Sequence, residues 1–400
     1  MERWVALTVV VPVAVLAACS SDEEGPEAEI VVDTLPNGAI HVQNPAAGLW
    51  EEGEEWTMEE AVRIGTLDGD PEEMFQQVSM LAPDSRGWIH VLDRQADEIR
   101  VFDETGQHVR TLGGSGEGPG ELGTPIGVAL DPDDRVWAAD MGNGRYTVWD
   151  QDGEVVTTRN RPVPLWPYAW TAGFDGDRLL EHTRLDGGPE DEVPGFLRVS
   201  ALDDEPVDSL PTPRVDHEPE SYEVSDDQGA MFVAVPYHPG VQRAVDRTGE
   251  LWFGRSDAYR LYQASLDGDT LRIVEREHEP VPVDEEEVRE FAESEQAEQL
   301  EARGGDVDLD RIPDVKPAFE QVIVSDDGHL WVRTALPYGQ ERTRFDVFDP
   351  EGRYLGAVRA PEDLSSSPRP AIRDGFLWAQ VVDDLDVPYV VGYRIEGRDE

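Results

Sequence analysis

Six polar or charged residues stand at equivalent places in successive segments of the chain, each just past a short apolar run. They comprise two carboxylates, one imidazole, two guanidinium groups and one amide: Asp93, Asp140, His182, Arg255, Arg333 and Gln380. Together they could bind a divalent cation through the carboxylates, or a small anion such as a carboxylated sugar through the arginines. The structural alternative is that Asp93 and Asp140 cap local turns, while the arginines pair with carboxylates across a channel.

Hydrolysis is one reaction that this set could support. Asp93 and Asp140 would hold a divalent cation such as calcium, and Arg333 would orient a lactone or ester substrate. No other cofactor is indicated, and no residue is assigned as a firm metal ligand. The sequence contains no Walker loop, His-Glu-x-x-His, Cys-x-x-Cys or Gly-x-Ser-x-Gly motif. The usual signatures of nucleotide, zinc and covalent hydrolases are therefore missing.

A glycine-rich stretch has the spacing of a dinucleotide-binding loop. Gly118, Gly120 and Gly123 match that fingerprint, but Thr124 and Pro125 follow where a helix would have to begin. Without a helix N-terminus, nothing is placed to receive a pyrophosphate. The stretch is better explained as a link between structural units.

Three histidines in long loops are the remaining candidates for a metal site. His217, His238 and His278 are separated by 21 and 40 residues, which fits no compact zinc pattern. We expect them to be solvent-exposed.

The N-terminus carries an export signal. Residues 1–19 have a short apolar core, and Leu16-Ala17-Ala18-Cys19 resembles the bacterial lipobox, in which the cysteine is lipidated. The alternative is an ordinary secretory signal that contains a cysteine by chance. Cys19 is the one cysteine of the chain, so no intramolecular disulfide can form. Residues 20–29 are acidic and contain Pro and Gly, as expected of a tether.

The chain is strongly acidic. With 33 Lys plus Arg against 86 Asp plus Glu, its formal charge is −53, and Lys316 is its single lysine. Such a polyanion is a poor partner for nucleic acid phosphates. The acidity could be an adaptation to high salt, or a coding bias combined with selection for solubility, and both interpretations remain open.

Repeats decide the fold. Asp93 and Asp140 end similar motifs 47 residues apart, and a third close copy surrounds Trp331. Looser copies surround Trp252 and Trp378, and a sixth lacks the aromatic residue. Six apolar positions recur at the same place in the units: Ile89, Val136, Leu179, Leu251, Leu330 and Leu377. The recurring tryptophans 137, 252 and 331 are expected to pack one unit against the next.

Units of about 45 residues with several short strands are typical of propeller blades. The sequence therefore predicts an all-β, six-bladed β-propeller over residues 70–396. Residues 30–69 would form an N-terminal arm, whose strand at Ala61–Gly65 closes the last blade. One acidic helical insertion is predicted at 284–303, because Asp284 and Glu287 form a capping-box pair.

Three motifs resemble the NHL-type six-bladed propeller lipoproteins of bacteria. Ala139–Tyr146 is similar to the NHL core pattern, Gly116–Leu122 to the link between NHL blades, and Ile40–Pro45 to the N-terminal segment of the lipoprotein group. The resemblance implies the fold. It implies little about activity, since such propellers include binding platforms, lactonases and an amidating lyase.

The favoured hypothesis is a lipid-anchored module of the cell envelope that binds a protein, peptide or glycan without performing chemistry. The membrane would be contacted through the lipid anchor alone. The alternatives are the cation-dependent hydrolase or lactonase described above, and a passive structural lipoprotein.

Overall fold

Short apolar runs that end at turn residues form the strands of this protein. A computed structural model describes residues 29–161, 172–185, 193–200, 208–211, 215, 220–227, 229–246, 248–340 and 342–398. Cys19, the signal segment and all but the last residue of the tether lie outside these ranges. Three strands precede the repeats: β1 (Val31–Thr34), β2 (Ile40–Asn44) and β3 (Thr57–Ile64).

The repeats fold into six small antiparallel sheets, joined along the chain in order. The first sheet holds β4 (Val78–Pro83), β5 (Ile89–Asp93), β6 (Glu98–Phe102) and β7 (His108–Gly113). The second holds β8 (Pro125–Leu130), β9 (Val136–Asp140), β10 (Arg145–Trp149) and β11 (Val155–Asn160). The third holds β12 (Ala172–Asp175), β13 (Arg178–Leu185), β14 (Val193–Ser200) and β15 (Asp208–Pro211).

A two-stranded hairpin separates the third and fourth sheets: β16 (Ser221–Asp226) and β17 (Gly229–Ala234). The fourth sheet contains β18 (Val241–Val245), β19 (Leu251–Arg255), β20 (Arg260–Ala264) and β21 (Thr270–Arg276). The fifth contains β22 (Gln321–Val324), β23 (Leu330–Thr334), β24 (Arg344–Phe348) and β25 (Tyr354–Arg359). The sixth contains β26 (Ala371–Arg373), β27 (Phe376–Val382) and β28 (Pro388–Glu396).

The N-terminal strands join two of these sheets. β3 pairs antiparallel with β28 and supplies the outer strand of the sixth sheet, as the sequence predicts for Ala61–Gly65. β2 pairs in parallel with β21, and β1 pairs with β2, so the fourth sheet has six strands. The arm is thus built into two sheets, whereas the sequence predicted a strand of the arm in the last sheet alone.

The first strands of all six sheets line one central cavity of about 830 Å³. In an antiparallel sheet of four strands, the fourth strand ends on the side where the first strand begins. The chain therefore enters the first strand of each sheet from the same end of the cavity, which we call the upper mouth. The other end is the lower mouth. The connections between sheets that the structure describes in full therefore begin and end on the side of the upper mouth.

The apolar column predicted from the repeats lies on the second strand of each sheet. All six members are buried, with between 0% and 3% of their surface exposed. Trp137, Trp252 and Trp331 are buried as well, and the Trp137 ring contacts Phe174 of the third sheet at 5.9 Å between centroids. The expectation that these tryptophans pack between units is confirmed.

The predicted helical insertion is two short helices, α1 (Glu285–Ala292) and α2 (Glu295–Ala302), between β21 and β22. Asp284 and Glu287 form the expected capping box, and Ser294 interrupts the segment because its side chain caps α2. Short 3₁₀ turns lie at Pro71–Glu73 and Leu309–Arg311. The helices pack on the hairpin β16–β17 on the side of the upper mouth. Within the described ranges, no helix has the length and apolarity needed to cross a membrane.

Candidate functional site

The six residues predicted to form a site all lie on the second strands. Asp93, Asp140 and Arg255 end β5, β9 and β19, whereas His182, Arg333 and Gln380 lie within β13, β23 and β27. None of the six lines the central cavity. The repeat register was anchored on the most apolar strand of each unit, which is the second strand and not the innermost. The candidate positions therefore lie one strand further from the axis than the sequence predicted.

Asp93 binds backbone and not the cavity. Its carboxylate is fully buried and accepts hydrogen bonds from the N–H groups of Gln76 (2.8 Å) and Gln77 (3.0 Å). Arg100 Nη2 lies 3.5 Å from the same carboxylate. These donors fix the chain where it enters β4.

The Asp140 carboxylate also binds backbone N–H groups, in the second sheet, and it has more donors than Asp93. It accepts from the N–H groups of Gly123 (3.0 Å), Thr124 (2.9 Å), Gly142 (3.1 Å) and Asn143 (3.3 Å), and from Asn143 Nδ2 (2.7 Å). Backbone donors thus occupy the oxygens that the hydrolase hypothesis needs as cation ligands. In the described part of the chain, no group of three or more His, Cys, Asp or Glu residues could hold a metal ion. The hydrolase hypothesis stays a prediction that no described contact supports.

The two arginines of the set have carboxylate neighbours. Arg333 Nε lies 3.2 Å from Glu320 Oε2, and its Nη2 lies 3.8 Å from Asp363 Oδ1. Arg255 Nε lies 3.3 Å from Asp257 Oδ2. Both arginines thus have carboxylate neighbours, as the structural alternative requires, but these contacts are local and do not cross the cavity.

His182 is largely buried and lies near the guanidinium group of Arg243. Burial, assisted by the charge of Arg243, lowers the pKa of His182 to about 4. The imidazole is therefore neutral at neutral pH and cannot add positive charge to an anion site. The proposal that His182 and Gln380 contact a ligand stays a prediction.

The loop histidines do not form one cluster in the described ranges. His278 packs against the ring of Tyr259 at 5.4 Å between centroids, and burial lowers its pKa. His217 lies outside the described residues. The prediction that these histidines are solvent-exposed is wrong for His278, because the ring of Tyr259 shelters it.

The most informative side chain in the cavity is Arg369, which the repeats did not reveal. It lies in the loop before β26 and lines the central cavity. Its Nη1 donates to the carbonyl oxygen of Arg243 at 2.7 Å, and burial lowers the pKa of both guanidinium groups. Among the described residues, no carboxylate forms an ion pair with either arginine, although the chain has 86 acidic residues.

Other polar side chains surround Arg369 at the upper mouth. Arg94 lines the cavity from the loop between β5 and β6. Glu320 also lines it, and burial raises the pKa of this carboxyl while the nearby Arg333 opposes the shift. Amide and hydroxyl groups complete this end of the cavity: Gln77, Gln242, Gln321, Ser366 and Ser367. The upper mouth thus offers two guanidinium groups against one carboxyl that already has an arginine partner.

The lower mouth has the opposite character, but its acids are occupied. Asp131 accepts from the N–H of Asp133 at 3.0 Å, and Asp246 accepts from the N–H of Thr248 at 2.9 Å. Arg373 Nη1 lies 3.1 Å from Asp134 Oδ1. These carboxylates stabilise turns, whereas at the upper mouth no described carboxylate forms an ion pair with Arg369.

Comparison with known proteins informs the fold and not the activity. No protein-family profile matches the chain, and no curated protein matches its sequence. A Bacteroides vulgatus member of the DUF4221 family has a TM-score of 0.53 at 12% identity, over 86% of this chain and 99% of its own. A Bacteroides fragilis protein described as exported has a TM-score of 0.51 at 12% identity, over 89% of this chain and 99% of its own. At this identity the likeness shows the fold alone, which is propeller-like. The narrower NHL resemblance stays a prediction.

Proposed function

We propose that this protein is a binding module whose central cavity receives an anionic group of a peptide or glycan at the upper mouth. The observation that carries the proposal is Arg369, a cavity-lining guanidinium whose hydrogen bond among the described residues goes to a carbonyl oxygen and not to a carboxylate. Arg94 adds a second positive charge at the same mouth.

The energetics of charge burial support this interpretation. A guanidinium removed from water loses hydration, and that cost is normally offset by a carboxylate partner. A chain with 86 acidic residues could supply one easily. A ligand carboxylate would pair with Arg369 through charge-assisted hydrogen bonds and offset the cost on binding.

The scaffold that we infer for this site is a closed six-bladed propeller. Six first strands around one cavity support it, as does the pairing of β3 with β28, which joins the two ends of the repeat region. In such a ring, the upper mouth is the place where loops from all six sheets converge.

We also infer an exported, lipid-anchored protein of the cell envelope. The lipobox-like Leu16–Cys19 segment supports this, together with the description of one structural neighbour as exported. The partner would then be an envelope protein, peptide or glycan that carries a carboxylate. Nucleic acid is disfavoured by the charge of −53.

Calorimetric titration of the purified protein tests the proposal. The probes are tri-galacturonate with its methyl ester, and a short peptide with a free or amidated C-terminus. We expect the free acid of one pair to bind, and its neutral form to bind about tenfold more weakly, because a charged hydrogen bond is lost. Arg369→Gln should weaken the free acid by a similar factor.

Arg394→Gln is the matched control, since Arg394 is exposed and stacks on Phe376 away from the cavity. It should leave binding unchanged. Equal affinity for acid and neutral forms, or unchanged affinity in a folded Arg369→Gln variant, would overturn the proposal.

A further inference from the structure

A second cavity, of about 560 Å³, lies between the fourth and fifth sheets. The segment between β21 and α1, the segment before β22 and the loop after β23 line it. It is therefore separate in position from the central cavity. Its lining has an unusual charge for this protein. Three guanidinium groups, one ammonium and two carboxylates contribute: Arg276, Arg344, Arg359, Lys316, Asp346 and Glu279.

Asp346 is the centre of the buried part of this lining, and its hydrogen-bonding capacity is filled. Its Oδ1 accepts from Arg344 Nη2 (3.0 Å) and Tyr354 OH (3.1 Å). Its Oδ2 accepts from Tyr259 OH (2.9 Å) and Arg276 Nη1 (3.0 Å). Four donors on two oxygens leave this carboxylate little room for another donor.

Two guanidinium groups therefore share one carboxylate. The Arg276 side chain is only 8% exposed, and its Nη2 donates to the carbonyl oxygen of Ala46 at 2.9 Å. The Nε atoms of Arg276 and Arg344 are buried and have no hydrogen-bond partner among the described residues. Thr334 Oγ1, on a third residue of the same lining, is also buried without a partner.

The other charged residues do not supply the missing acceptor. Lys316 Nζ is held by Glu287 and by the Leu336 carbonyl oxygen at 2.7 Å. Glu279 is exposed at the rim, and Arg359 is exposed as well. The buried part of the cavity thus has an excess of donors and of positive charge, which is a costly combination in a protein interior.

We propose that this cavity is a second binding site, for a small molecule that carries one oxyanion group. The charge of the anion would balance the second guanidinium. A small shift of the lining side chains would let its oxygens accept from Arg276 Nε, Arg344 Nε and Thr334 Oγ1, which have almost no accessible surface of their own. The volume is large enough for a carboxylate, sulfate or phosphate together with a small organic group. The site is independent of the proposed ligand of the central cavity.

Titrations with sodium acetate, sulfate and phosphate test the proposal, with sodium chloride holding ionic strength constant. We expect one of these oxyanions to bind with saturable calorimetric heat and to raise the melting temperature at millimolar concentration. Thr334→Val keeps the shape and removes one unpartnered hydroxyl, and Arg344→Gln removes a charge. Each should weaken binding by about tenfold or more.

Arg394→Gln and Arg369→Gln are controls that should leave this binding unchanged, which separates the second site from the central cavity. Should Arg344→Gln fail to fold, Thr334→Val decides the question, since it removes no hydrogen bond of the described fold. Crystals soaked in selenate should show the anion beside Arg276. No saturable binding of any oxyanion, equal binding by Thr334→Val, or a cavity that holds only water would overturn the proposal.

Discussion

At the scale of single residues, the surroundings of a carboxylate decide its role. Asp93 and Asp140 have the residue type and the periodic placement of cation ligands, yet both accept hydrogen bonds from peptide N–H groups that precede a first strand. A buried N–H without an acceptor costs free energy, so a repeat that needs a sharp entry into each sheet uses an aspartate there. Arg369 shows the reverse: no described carboxylate pairs with it, so its charge is available to a ligand.

Asp140→Asn tests the structural role directly. Asparagine has one acceptor oxygen where aspartate has two, so some of the five donors would be left unsatisfied. We expect the free energy of unfolding to fall by about 2–3 kcal/mol, measured by urea denaturation. Asp133→Asn is the matched control, because its side chain is 77% exposed, and it should change stability by less than about 0.5 kcal/mol.

The competing role makes a different prediction for the same pair of proteins. A cation ligand at Asp140 would make calcium raise the melting temperature of the wild type and not of Asp140→Asn, and a chelator would reverse the effect. We expect neither response.

At the scale of elements, the N-terminal arm connects three sheets. β2 pairs with β21 of the fourth sheet, Trp50 N–H donates to the Leu355 carbonyl of the fifth at 2.8 Å, and β3 pairs with β28 of the sixth. Asn44 is the central link. Its Nδ2 donates to Glu275 and Gly352 carbonyl oxygens at 3.0 Å, and its Oδ1 accepts from Tyr354 N–H at 2.8 Å.

Asn44→Ala should loosen this connection. Three backbone groups lose a partner, two of them in buried hydrogen bonds, so we expect a loss of about 2–4 kcal/mol in the free energy of unfolding. Proteolytic cleavage of the arm should also become faster. Gln43→Ala, one residue earlier and exposed, should behave as the wild type. Equal stability of the two variants would show that Asn44 does not hold the fourth and fifth sheets together.

The sequence predicted the features that follow from the repeats or from a common local pattern, and it missed those that no such pattern marks. Ile89 and its five equivalents, Trp137 and the capping box at Asp284 all follow from local patterns that burial or capping imposes in every occurrence. Arg369 stands in a loop of serines and prolines that no other unit repeats, so periodicity could not mark it. The position of β2 beside β21 depends on pairing between segments more than 200 residues apart, which local pattern does not encode.

At the scale of the whole molecule, electrostatic repulsion is the dominant feature. A formal charge of −53 on a folded chain concentrates like charges that the unfolded chain would spread apart. Internal cations such as Arg276 and Arg369 reduce this repulsion only locally. Mobile counterions must supply most of the screening.

Stability should therefore rise with salt. Between about 0.01 M and about 1 M sodium chloride the screening length falls from roughly 30 Å to roughly 3 Å, so we expect the melting temperature to increase across this range. Choline chloride should act similarly if the cause is screening, since it lacks a cation that carboxylates bind tightly. A melting temperature that is constant or falls with salt would show that the acidic surface does not limit stability.

The pairing of β3 with β28 has a consequence for biosynthesis. The two strands lie at opposite ends of the repeats, so the sixth sheet cannot be completed until residues 388–396 have left the ribosome. A nascent chain would carry its early strand without a partner throughout translation. The sixth sheet is therefore completed only after synthesis, however early the other sheets fold.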